Sequence, residues 1–141
     1  MVDLARRNAT KRGNFDNVRF EHTSITQLPL PDTSVDCVIS NCVINLVPDP
    51  QKQDVINEIF RVLKPGGRVS ISDIVARKPL PDQVRQDIAS YVGCVAGAVE
   101  LERYRDMFQG AGFPGMFALE EDISNRACLA HSGTRCRRRV R

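Results

Sequence analysis

The side chains of this 141-residue chain best suited to chemistry are its thiols, Cys37, Cys42, Cys94, Cys128 and Cys136. A cysteine thiolate serves as a nucleophile, a redox centre or a ligand for a soft ion, and each role asks for a different neighbour. An odd number of cysteines with no Cys-x-x-Cys spacing predicts neither a disulfide framework nor a zinc knuckle, but reduced thiols. Nucleophilic catalysis wants a base beside the sulfur. The two histidines, His22 and His131, both lie far from Cys42 in sequence. Soft-ion binding asks only for a second thiol, and Cys94 is the natural partner of Cys42. From spacing alone, a plain structural role for each of these two remains the simpler reading.

The elements that must position the thiols follow from periodicity and turn residues. Asp3 to Arg12 reads as the end of a helix that Gly13 and Asn14 stop. Val18 to His22 alternates apolar and polar residues and predicts a strand, which the prolines of "LPLPDTS" end. Val35 to Ser40 is short and apolar, as expected of a strand buried on both faces, with Cys37 as core packing. Cys42 falls just past its end. Asp49 then fits an N-cap and Pro50 the first helical position. Val55, Ile56, Ile59, Phe60 and Leu63 recur at helical spacing and predict one buried face.

Pro65 and the Gly66-Gly67 pair must close that helix. A strand from Arg68 to Val75 follows, in which Ser70 and Ser72 alternate with Val69 and Ile71, so that one face is less deeply buried. A helix is predicted from about Asp82 to Ala98, with Cys94 on its flank, and another from Leu101 to Gly110. Gly115 to Glu121 reads as one more strand. Strand, helix and strand with short links make a βαβ unit, hence an α/β fold with a parallel sheet. Ligands in such folds lie beyond the carboxyl ends of the strands, where Asn41, Cys42 and Asp73 fall.

Composition fits one domain: 42% of residues are apolar and 26% charged. No apolar window approaches the roughly 18 residues of a membrane span, and the first residues lack a signal-peptide run, so a soluble, cytoplasmic protein with no membrane partner is expected. The net charge of +3 resides in the last residues, where Arg135, Arg137, Arg138, Arg139 and Arg141 cluster. The body is slightly acidic, so no nucleic-acid partner is expected. Residues 124–141 are expected to form a basic, disordered tail.

Three stretches, "SNCVINLVPD", "VLKPGGRVSISDIV" and "YVGCVAGA", together resemble the arsenite methyltransferases, S-adenosylmethionine-dependent enzymes of the class I Rossmann-like fold. The resemblance runs from about Met1 to Phe113 and implies a partial Rossmann-like methyltransferase domain over residues 1–123. It implies that Cys42 and Cys94 are thiolates holding trivalent arsenic, whose free lone pair attacks the methyl carbon of the sulfonium. It also implies cofactor contacts at Ser24, Ile25 and Asn41, with Ile25 near the adenine. The substrate would be arsenite or its thiol conjugates, and glutathione or thioredoxin would serve as thiol reductant in detoxification.

The chain also departs from the family. None of its glycines forms the Gly-x-Gly loop that lets backbone approach the cofactor, and the acidic residue that binds the ribose is missing with it. Further arsenic-binding cysteines of the family have no counterpart either, so small thiols would complete the arsenic shell. Ser24 stands where the family more often has a larger polar residue. The resemblance therefore implies an incomplete class I fold without its first two strands. The strand of Val35 to Ser40 would then be an open edge. Self-association through that edge, aggregation, or movement of the Val18 to His22 strand beside it are the expected outcomes. Two other functions stay open: a non-catalytic thiol protein that binds arsenite or a soft metal ion, and a class I methyltransferase fragment acting on another small acceptor.

Overall fold

A computed structural model describes residues 1–13, 15–83 and 94–115. Helix α1 (Val2–Arg12) leads into an irregular stretch that reaches strand β1 (Val35–Asn41). Two single 3-10 turns (Ile44–Leu46 and Asp49–Gln51) precede helix α2 (Lys52–Val62), and strand β2 (Leu63–Ser72) follows directly. The short strands β3 (Val75–Ala76) and β4 (Val99–Glu100) and helix α3 (Leu101–Ala111) complete the order. β1 pairs with β2 and β3 with β4, both parallel. The helical crossover between β1 and β2 makes the expected βαβ unit.

The core lies on one side of this pair. Val55, Ile56 and Ile59 of α2 meet Tyr104, Met107 and Phe108 of α3, with Ile44, Leu63 and Val99 between them. Val38, Val69 and Ile71 pack on this cluster from the sheet. The register sets Val38 beside Val69 and Ser40 beside Ile71, so these side chains share the inward face. Cys37, Ile39 and Asn41, paired with Arg68, Ser70 and Ser72, share the other face, and all six are exposed. The serine alternation had marked that face correctly.

Several expectations are corrected. β1 is not buried on both faces: Ile39 is 80% exposed, and Cys37 is an exposed thiol rather than core packing. Among the described residues nothing pairs with β1 except β2, and none of them covers its outer face. Val18 to His22 forms no strand, because an alternating pattern becomes one only beside a partner. Arg6 of α1 instead donates to the Phe20 carbonyl at 2.7 Å. Phe60 lies off the buried face of α2 and is 42% exposed. Its ring meets Phe113 edge-on at 5.0 Å.

Asp49 makes no side-chain cap; its carboxylate pairs with Arg103 of α3 at 2.9 Å. α2 does stop before Pro65, but the chain enters β2 at once. Between the pairs Val35 with Leu63 and Cys37 with Arg68 the register slips. Gly66 takes up the extra length at φ +79, a torsion that favours glycine. β2 ends at Ser72, short of Val75, which belongs to β3.

The helix expected to reach Ala98 does not include Cys94 to Ala98. Cys94 has φ +62, outside right-handed helical space, and the Ala98 N–H closes a turn on the Val95 carbonyl at 3.0 Å. Residues 84–93 of that expected helix, the expected strand after Gly115 and the basic tail lie outside the described residues. No described helix is long and apolar enough to cross a membrane.

Candidate thiol site

Cys42 is placed by the sheet. Its N–H continues the β1–β2 ladder onto the Ser72 carbonyl at 2.9 Å, and its φ of +52 then turns the chain out of the strand. Among the described non-glycine residues only Thr33, Cys42 and Cys94 have positive φ. Each such torsion costs on the order of 1 kcal/mol. Both candidate thiols therefore sit where the surrounding contacts override backbone preference.

Those contacts converge on the turn after Cys42. Asn45 is 1% exposed, and its Nδ2 donates to the carbonyls of Ile74 at 2.7 Å and Cys94 at 3.1 Å. The turn is braced from α2 by Lys52, also 1% exposed. Its ammonium donates to the carbonyls of Ile44 at 3.1 Å, Asn45 at 3.4 Å and Val47 at 2.5 Å. Burial lowers the Lys52 pKa, and the nearby Asp49 carboxylate opposes that effect.

The result is that Cys94, a buried thiol, lies against Cys42. Its Sγ donates to the Cys42 carbonyl oxygen at 3.4 Å. Burial raises the Cys94 pKa above the usual thiol range, and the Cys42 side chain and the Asp73 carboxylate raise it further. Cys94 thus rests as a protonated thiol. Asp73, just past β2, accepts from the Tyr104 hydroxyl at 3.2 Å. Its carboxyl pKa is raised by burial, against the pull of Tyr104 and the N–H groups of Ile44 and Asn45. The same burial, together with Asp73, raises the Tyr104 phenol.

Sequence reasoning singles out Cys42 and Cys94 and passes over Asn45, Lys52, Gly97 and Tyr104, which surround them. A signal for Lys52 was available, because it lies three and four residues before Val55 and Ile56 and so falls on the buried stripe of α2. Gly97 could be read only from the structure. A Cβ there would lie 1.8 Å from the Asn45 carbonyl oxygen, so backbone presses on backbone.

The proposed cofactor residues are placed less closely together. Asn41 ends β1, exposed, opposite Ser72. Ile25 packs half-buried on the core, and the Ser24 hydroxyl lies 2.8 Å from that of Thr26. A cavity of about 440 Å³ beside that turn is lined by Thr26, Gln27, Asp54, Asn57, Glu58 and Arg61, and holds none of the three. With the outer face of β1 exposed, a nucleoside past Asn41 would be open to water on one side. The described residues therefore do not enclose S-adenosylmethionine by themselves.

A methyltransferase-domain family model matches residues 1–112. The chain belongs to the methyltransferase-domain family. This methyltransferase domain is 45% identical over 124 residues to an arsenite methyltransferase of Halobacterium salinarum, covering 88% of the chain and 31% of that protein. It is 41% identical over 106 residues to an arsenite methyltransferase of Aquipseudomonas alcaligenes, covering 73% of the chain and 30% of that protein. Among solved structures it is similar to CrArsM, an arsenic (III) S-adenosylmethionine methyltransferase from Chlamydomonas reinhardtii. The TM-score is 0.65 at 31% identity, over 87% of the chain and 44% of that structure. The chain thus spans under a third of the length of these curated relatives. Its α/β fold is that of part of a class I S-adenosylmethionine-dependent methyltransferase.

Proposed function

We propose that this methyltransferase domain grips trivalent arsenic between Cys42 and Cys94 and presents it for methylation by S-adenosylmethionine. The observation that carries the reading is the contact of the Cys94 sulfur with the Cys42 backbone carbonyl at 3.4 Å, which brings the Cys94 thiol against a second cysteine 52 residues away. Arsenite in water is arsenous acid, with three hydroxyl groups on arsenic. Each thiol replaces one hydroxyl: an As–O bond breaks, an As–S bond forms, and the thiol proton leaves with the hydroxyl as water. A protonated Cys94 suits this exchange, since it carries the proton that the leaving hydroxyl needs. Soft sulfur holds soft arsenic. Once one sulfur is bound, the second binds at high effective concentration.

A small thiol such as glutathione completes the arsenic shell, and glutathione or thioredoxin keeps both cysteines reduced. S-adenosylmethionine, when bound, supplies an electrophilic methyl group. Ser24, Ile25 and Asn41 are the residues of this chain proposed to touch it. Catalysis at the thiol side is positioning, with arsenic fixed and its lone pair directed outward.

The experiment incubates the chain with arsenite, glutathione and methyl-labelled S-adenosylmethionine. Labelled methylarsenicals are expected from the parent and not from Cys42→Ser or Cys94→Ser; equal labelling in either variant sinks the reading. A second reading, arsenite capture without methyl transfer, draws support from the outer face of β1, which no described residue covers. It is the one favoured if the parent binds arsenite and yields no label.

A further inference from the structure

We infer that Asn45 is a positioning residue whose side-chain amide sets the spacing of the two thiols. The inference rests on the arsenic-binding reading above. Cys42 and Asn45 belong to one short turn, and Asn45 is buried with its amide aimed away from solvent. The amide bridges the Ile74 carbonyl at 2.7 Å and the Cys94 carbonyl at 3.1 Å. It thereby ties the segment bearing the second thiol to the segment bearing the first. The backbone carbonyl of Asn45 faces Gly97, where a Cβ would sit at 1.8 Å, so the turn after Cys94 is gripped at two points. Lys52 holds the Asn45 carbonyl from the third side at 3.4 Å.

No other described side chain donates a hydrogen bond to both the β2–β3 link and the Cys94 turn. A chelate tolerates only small errors in ligand placement, on the order of 0.5 Å. Loss of the amide should therefore leave two thiols that react singly and no longer close on one atom. Asn45→Asp keeps the shape and replaces the double donor by an acceptor facing two carbonyls. Gly97→Ala leaves the amide intact and displaces the backbone it holds.

The test uses the full chain with Cys37, Cys128 and Cys136 changed to serine. Affinity for phenylarsine oxide, which needs two thiols, is compared with the rate of alkylation by iodoacetamide, which needs one. Asn45→Asp and Gly97→Ala are each expected to lower phenylarsine oxide affinity by about 100-fold, toward the values of Cys42→Ser and Cys94→Ser, because the effective concentration of the second thiol is lost. Both cysteines should still alkylate. A purely structural role would raise alkylation without this selective loss. Gly97→Ala also keeps the test open should Asn45→Asp fail to fold. Undiminished affinity in either folded variant overturns the role of Asn45 while leaving the thiol pair standing. A parent that binds no better than Cys94→Ser overturns the thiol pair, and the role of Asn45 falls with it.

Discussion

The Lys52 ammonium, buried to 1% exposure, donates to the Ile44 carbonyl at 3.1 Å. A lysine at this depth is tolerated because its donors also meet the carbonyls of Asn45 at 3.4 Å and Val47 at 2.5 Å, which the 3-10 turn does not satisfy itself, whereas Ile44 already accepts from the Val47 N–H. Lys52→Met keeps the stem and removes the donors. It should destabilise the chain by about 1–3 kcal/mol, the cost of buried carbonyls left unpaired. Urea unfolding checks this, and an unchanged midpoint would mean that water replaces the ammonium without loss.

Burial holds the Cys94 thiol above its ordinary pKa of 9.0, with Cys42 and Asp73 adding to the shift. The pH midpoint of Cys94 alkylation should therefore lie above 9.0. Asp73→Asn should lower that midpoint without restoring it fully, since burial is the larger cause. Mass spectrometry of the alkylated peptide against pH gives both numbers.

Asp73 itself has a raised folded pKa against an ordinary value of 3.8. Its contribution to stability is full below 3.8 and is lost as pH rises through the folded value. Relative to the parent, Asp73→Asn should thus gain stability as pH climbs across that window. Paired denaturation curves at acid and neutral pH measure the difference. A difference that does not change with pH would contradict the shift.

Two isoleucines, Ile56 of α2 in the core and Ile39 on the outer face of β1, test which side of the sheet matters. Ile56 is fully buried and Ile39 is 80% exposed. Ile56→Ala should cost roughly 2–5 kcal/mol, whereas Ile39→Ala should stay within about 0.5 kcal/mol. Equal losses would mean that the outer face of β1 is covered in solution.

Much of this fold can be read from local pattern. The end of β1, the apolar stripe of α2 and the paired serines on the outer face of β2 each depend on residues near in sequence. What failed depends on neighbours far away. Val18 to His22 has the pattern of a strand and no partner strand among the described residues, and Cys37 has the company of a core residue on a face that nothing described covers. The site divides in the same way. Cys42 is announced by the strand end before it, while the Cys94 turn is shaped by the Asn45 backbone pressing on Gly97, a contact that no window of sequence contains. Lys52 was legible from its place on the apolar stripe, but the general rule that lysines face water hid it.

Everything proposed for this site requires that Cys42 and Cys94 close on one arsenic atom. X-ray absorption at the arsenic edge, on arsenite bound to the chain with Cys37, Cys128 and Cys136 changed to serine and no added thiol, tests it most directly. Two sulfur neighbours per arsenic are expected in that parent, and a single sulfur in Cys42→Ser and in Cys94→Ser. One sulfur in the parent, or two in either variant, would contradict it.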